Sequence, residues 1–362
     1  MKNVIVIGNF NYSGGPYDGS ATKTRNIYSY LQTNLPKDKY YVTFFNYENW
    51  SKHVLRFLFG FRKAIKKNEI FVVIPYSFKF FYYSMKRLLK NKRKKGIRVF
   101  YPVTGSWMLD CVMNSKSTVE LMNSMDGFLC ETHGLCEKMG ACGCKNIFYS
   151  PVFSLRTPLS KEMVNNDISR LSSTDETKIC TFSRVCKNKG ISLACQAVLS
   201  INSKRSAIKK ISLDIFGKLD PEYKAELDSF VSQSDGSIRY LGIIDDSKVV
   251  TTLSKYNFCV FASYFKWECF PASVLESFMA GTPVIASSWL YNPEIVTDGS
   301  TGLIFQSEDE KDLEQKIEWA IDNKERMLEM RQKCVIEAIR FAPEKSLEPL
   351  RALIVSGDKV GQ

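Results

Sequence analysis

Glu268-Cys-Phe-Pro-Ala-Ser-Val-Leu-Glu276-Ser-Phe-Met-Ala-Gly281-Thr-Pro283-Val-Ile-Ala-Ser287 sets two carboxylates eight positions apart around a helix start. Pro271 is a favoured first helical residue, and Gly281 is a good C-terminal stop, so Glu276 falls inside the helix. The following Thr-Pro-Val-Ile-Ala-Ser reads as a short buried strand. A helix N-terminus exposes unpaired N–H groups and a partial positive charge, which suits an anion such as a diphosphate. One carboxylate before that end and one after it can hold hydroxyls on either side of the phosphates. The arrangement suits a nucleotide-sugar. Spacing alone does not decide this, because glutamate pairs eight apart beside helices are common and usually only solvated.

Outward from this stretch, short apolar runs alternate with helix-like stretches. Val4–Gly8, Tyr41–Phe45, Ile70–Ile74, Arg98–Tyr101, Gly127–Cys130 and Ile147–Tyr149 read as strands. A second series runs Ile179–Phe182, Ser212–Phe216, Ile238–Leu241, Phe258–Phe261 and Val284–Ala286. Helical patterns fall between them. Such alternation means parallel sheets covered on both faces, hence an α/β fold. The polar stretch 155–177 has no strand signal and divides the two series.

The whole phrase from Glu268 closely resembles the donor-site signature of retaining glycosyltransferases of family four, which have the GT-B fold. The resemblance covers Lys178 to about Asn323. Phe182-Ser-Arg184-Val-Cys-Lys-Asn-Lys189-Gly190 is similar to that family's phosphate-binding segment. Ile215-Phe216-Gly217 and Tyr240-Leu241-Gly242 resemble its strand-end glycine turns, and Pro293 to Phe305 the stretch after the donor site. The N-terminal half matches more loosely, through Asn11-Tyr-Ser-Gly14-Gly15 and Lys23-Thr24-Arg25-Asn26.

The resemblance implies two Rossmann-like domains facing across a cleft. Residues 1–155 would form the acceptor-side domain, 156–177 a linker, and 178–341 the nucleotide-sugar domain. Residues 342–362 would return to the first domain as a C-terminal helix. Arg184 and Lys189 are expected to stabilise charge on the leaving diphosphate, Arg bidentately and Lys as a compact charge. Glu276 would accept from ribose hydroxyls and Glu268 from donor-sugar hydroxyls. The N–H groups of Cys269 and Phe270 would face the sugar, those of Ala272 and Ser273 the phosphates. Cys269 and Pro271 depart from glycines common in the family, and Pro271 cannot donate. Gly14 and Gly15 let backbone approach the diphosphate or acceptor closely. Thr104, Gly105 and Ser106 are expected on the acceptor side. His133 receives no catalytic role.

The implied reaction is retaining and metal-independent, transferring a hexosyl group to a glycan acceptor on a lipid carrier, in surface polysaccharide or glycoconjugate synthesis. It needs no cofactor, since the nucleotide-sugar is a substrate. No D-x-D metal signature and no G-x-G-x-x-G appear. Three other readings compete: a GT-B epimerase or phosphorylase, a catalytically dead GT-B subunit, and a non-catalytic nucleic-acid binder. No nucleic-acid motif supports the last, and a nucleic-acid partner is not expected.

Composition bounds the rest. The 362 residues suffice for two cores, and no apolar run approaches the ~20 residues of a spanning helix. With 11 cysteines and no secretion signal, reduced thiols and cytoplasmic residence are expected. Cys130, Cys136, Cys142 and Cys144 lack zinc-type paired spacing. The net charge of +12 is uneven: residues 52 to 98 hold 15 Lys or Arg against the single acid Glu69. Aromatics interleave with these cations, as in interfacial helices. The expected partner is an anionic membrane at the inner face of the plasma membrane; the bland alternative is aromatics in the core beneath a solvated cationic face.

Overall fold

A computed structural model describes residues 1–12, 19–48, 50, 52–75, 77–205 and 211–356. Contacts divide the chain into two units, residues 1–152 with 343–362, and residues 153–342. Each carries one six-stranded sheet.

The first unit holds β1 (Lys2–Gly8), β2 (Tyr40–Asn46), β3 (Ile70–Val73), β4 (Arg98–Pro102), β5 (Gly127–Cys130) and β6 (Ile147–Tyr149). Their spatial order is β2-β1-β3-β4-β5-β6, and every pairing is parallel. Strands β3 and β5 are buried along their whole length. That is why they read as unbroken apolar runs: helices cover both faces, and nothing requires a polar alternate. The C-terminal segment docks here. Arg98 donates to the carbonyls of Leu353 and Ile354 at 3.0 and 2.8 Å, and Ser150 Oγ to that of Ser346 at 2.6 Å. The two from Arg98 satisfy carbonyls at the end of the helix Glu348–Ser356, and the one from Ser150 the last carbonyl of the short helix Pro343–Ser346.

The second unit holds β7 (Thr177–Phe182), β8 (Ile211–Phe216), β9 (Ile238–Gly242), β10 (Phe258–Phe261), β11 (Val284–Ser287) and β12 (Gly302–Phe305). Their order is β12-β11-β10-β7-β8-β9, again all parallel. The chain winds outward from β7 to β9, then crosses to the other side of β7 with β10. The strand order therefore reverses between β7 and β10. In doubly wound sheets, ligands bind outside the carboxyl ends of the strands at such a reversal. Ile179, Leu213, Ile215, Val260 and Ile285 anchor the core beneath.

Three features differ from the sequence reading. β12 was not foreseen. The stretch read as linker contains the helix Lys161–Ser172, capped by Ser160, and belongs to the second unit. Pro271 is the N-cap rather than the first helical residue, and the helix runs Ala272–Met279.

Candidate functional site

Two turns leave the carboxyl ends of β7 and β10 and meet. After β7, the backbone passes Ser183 and Arg184 beneath Gly217, whose φ is +136°. A Cβ on Gly217 would stand 1.6 Å from the Ser183 carbonyl oxygen, so only glycine lets the two turns close. The Val185 N–H donates to Lys218 O at 2.8 Å, and that of Asp220 to Val185 O at 2.9 Å. Arg184 is thereby held on a fixed turn with its side chain exposed. A 3-10 turn, Lys187–Lys189, follows, and Gly190 (φ +68°) opens the helix Ile191–Lys204. A Cβ there would lie 2.0 Å from the Ala262 carbonyl oxygen, just beyond β10. The close approach places Lys189 over the next turn.

That turn carries Glu268. Lys189 Nζ forms an ion pair with Glu268 Oε2, and each side chain is only 10% exposed. Ser263 Oγ donates to the same oxygen at 2.6 Å. Phe265 lies beneath both cations: Lys189 Nζ is 5.1 Å and the Arg184 guanidinium carbon 5.4 Å from its ring centroid. Cation–π attraction holds the two heads together against their mutual repulsion. Trp289 Nε1 and the Ser287 hydroxyl fix the turn from below, donating to Phe265 O at 2.8 Å and Ser263 O at 2.6 Å. Arg184, Lys189 and Glu268 thus converge at the point where the strand order reverses.

Downstream, Cys269 and Phe270 are buried, with Phe270 edge-on to Phe341 at 4.9 Å. Ala272 and Ser273 are the first residues of the helix, exposed and half-buried. Their N–H groups have no acceptor among the described residues. Glu276 is buried one turn in. Its Oε1 accepts from Arg156, which also pairs with Asp246. Burial pushes the Glu276 carboxyl up to about 7; Arg156 pulls it down and Asp246 pushes it up. Arg156 and Asp246 escaped the sequence reading. Arg156 sits in the stretch read as linker, 120 positions from Glu276, and no local pattern joins them.

In the first unit, Gly105 (φ +73°) and Thr104 follow β4, and buried Ser106 stands just before the helix Trp107–Met113. The Gly105 N–H donates to Glu131 Oε2 at 3.4 Å. Glu131 pairs with Lys23, an interaction that sequence spacing does not signal. Gly14 and Gly15 lie outside the described residues. His133 starts a helix, its ring stacked on Tyr149 at 3.9 Å.

The family of glycosyl transferases group 1 matches residues 165–341. A Klebsiella pneumoniae protein described as an uncharacterized 41.2 kDa protein in the cps region is 21% identical over 263 residues. That match covers 73% of this chain and 64% of the relative, so the chain spans under two thirds of the relative's length. Among solved structures, sucrose-phosphate synthase from Thermosynechococcus elongatus superposes with a TM-score of 0.77 at 14% identity, over the whole of both chains. Anabaena HepE, solved in complex with UDP and glucose, superposes at 0.71 with 12% identity, covering 98% of this chain and all of that one. The chain has the GT-B fold, and residues 165–341, nearly all of its second unit, match the group 1 glycosyl transferases.

Proposed function

We propose that the chain transfers a sugar, with retention and without a metal ion, from a nucleotide-sugar to a glycan acceptor carried on a lipid. The observation that carries the donor site is the convergence of Arg184 with the Lys189–Glu268 pair at the reversal between β7 and β10. Exposed Arg184 and paired Lys189 face the diphosphate and stabilise the charge that grows as the sugar leaves. The open N–H groups of Ala272 and Ser273 add a partial positive charge. Glu268 accepts from sugar hydroxyls and Glu276 from the ribose. Cys269 and Phe270 border the sugar. Gly14 and Gly15 meet the diphosphate or the acceptor, and Thr104, Gly105 and Ser106 serve the acceptor side.

The leaving phosphate oxygen takes the acceptor proton on the face from which the sugar departs. No protein nucleophile is then required, and the cations do the work of a metal. The HepE complex with UDP and glucose supports a uridine nucleotide as the first donor to try. The cps-region relative supports a polysaccharide acceptor.

Membrane docking is proposed for the first unit. The helix Val54–Lys67 exposes Leu55 by 72% and Phe59 by 67%, and the helix Phe78–Lys95 exposes Phe78. Arg56, Arg62, Lys63, Lys79, Lys86 and Lys90 are exposed around them. Phe57, Phe61, Phe80 and Phe81 are buried core, so only part of the aromatic run is available. No helix among the described residues is long and apolar enough to cross a membrane.

Incubation with UDP-sugars, GDP-sugars and lipid-linked glycan acceptors tests the reaction. The product's anomeric configuration, read from its NMR coupling constant, should match the donor's, and activity should survive a chelator. Inversion rejects the mechanism; donor hydrolysis or epimerisation without acceptor dependence rejects the transferase.

A further inference from the structure

Arg156 belongs to no motif, yet its guanidinium is bonded at all three nitrogens. Its Nη1 donates to Glu276 Oε1, and its Nη2 to Asp246 Oδ1. Nε donates to the backbone carbonyl of Asp246 at 3.2 Å, and Nη1 also reaches Ser154 Oγ at 3.4 Å. Every guanidinium nitrogen therefore has an acceptor. Glu276 is placed differently. Its Oε1 is taken by Arg156, whereas Oε2 accepts no hydrogen bond among the described residues, and the side chain keeps 11% of its surface exposed.

We infer that Arg156 is a positioning residue for nucleotide binding: held by Asp246 and bonded to Oε1, it turns the Glu276 carboxyl so that Oε2 stays open to ligand hydroxyls. The inference rests on the ribose-binding role proposed for Glu276. Burial favours the neutral carboxyl, and a neutral carboxyl is the weaker acceptor. Two charged groups act on Glu276: Arg156, from the segment before the helix Lys161–Ser172, and Asp246, from the turn before the helix Val249–Leu253. Asp246 anchors the guanidinium by two bonds but opposes ionisation of Glu276 by its own charge. Arg156 alone favours it. Near neutral pH, the arginine decides whether an ionised oxygen is presented.

Calorimetric titration with UDP and, separately, GDP between pH 6 and 9 tests the inference. The quantity read is the ratio of variant to wild-type affinity, which cancels titration of the nucleotide itself. Arg156→Met should bind about fivefold more weakly near pH 7, as follows if the carboxyl moves about one unit further up from about 7, and should recover as pH rises. Arg156→Lys should lie between the two. Asp246→Asn, altering a mostly exposed side chain, should move the midpoint to lower pH. It keeps the test open if Arg156→Met does not fold. A loss equal at every pH, or wild-type binding by Arg156→Met, overturns the inference while leaving Glu276 in place. Wild-type affinity in Glu276→Gln instead removes the ribose role, and the inference with it.

Discussion

Both units bury a lysine–glutamate pair at the carboxyl edge of their sheet, and the two pairs differ in what surrounds them. In the first unit, Lys23 Nζ bonds Glu131 and the Val103 carbonyl, both at 2.5 Å, and Glu131 also takes the Gly105 N–H. The pair ties the helix Gly19–Asn34 to the turns after β4 and β5. In the second unit, the Lys189–Glu268 pair stands at the strand-order reversal, with exposed Arg184 on the shared Phe265 ring and open helix N–H groups nearby. A buried ion pair is by itself weak evidence for a site, because desolvation offsets most of its attraction. Surplus positive charge and open donors mark the second pair as a place for an anion. The first is a clasp.

The clasp should show the largest effect on stability. Lys23→Met leaves the carboxylate of Glu131, 3% exposed, without its cation, which costs about 3–5 kcal/mol. Denaturant unfolding should show that loss, while the folded fraction binds nucleoside diphosphate as wild type does. If Lys23→Met keeps its stability but loses nucleotide binding, the contrast between the pairs is wrong.

Arg184→Ala and Lys189→Ala should each lower kcat/KM about a hundredfold, corresponding to about 3 kcal/mol of transition-state stabilisation. Arg184 is exposed, so its removal should leave the melting temperature almost unchanged. That separates site from scaffold more cleanly than Lys189, whose loss also strands Glu268. Activity surviving in Arg184→Ala would reduce the second pair to another clasp.

A smaller effect concerns pH. The folded-state pKa of Glu276, about 7, lies above the usual value for a glutamate, so the fold favours its protonated form. The stability this contributes is complete below the unfolded pKa and is lost as pH rises through about 7. Glu276→Gln should therefore flatten the fall in melting temperature between pH 5 and 8. An unchanged profile would assign that fall to other groups.

The smallest expected effect is on docking. Each surface cation near anionic lipid contributes about 1 kcal/mol. Changing Lys79, Lys86 and Lys90 to Glu should weaken flotation with anionic liposomes at low salt while leaving nucleotide binding intact. Wild-type protein that ignores such liposomes would leave the basic face without this role.

Eleven of the twelve strands fall where bounded apolar runs put them. β12 escaped because it opens on a glycine and follows directly on the turn-rich Thr297-Asp-Gly-Ser-Thr, so its apolar run Leu303-Ile-Phe305 reads as part of a loop. The helix Lys161–Ser172 was hidden by composition: it buries only Val164 and Leu171, so its polar face dominates. The meeting of Lys189 and Glu268, 79 positions apart, follows from each lying just past a strand end and from the order of β7 and β10. Arg156 had no such signal. A lone arginine on an irregular segment acquires its meaning only when folding brings two distant carboxylates to it.

Titration of wild-type protein and the double variant Arg184→Ala/Lys189→Ala with UDP and GDP tests the central claim most directly. One of the two nucleotides should bind wild type saturably at a single site, and that binding should be lost in the double variant while its fold persists. Equal affinity in both proteins, or no binding of either nucleotide to wild type, would contradict a donor site at the reversal between β7 and β10.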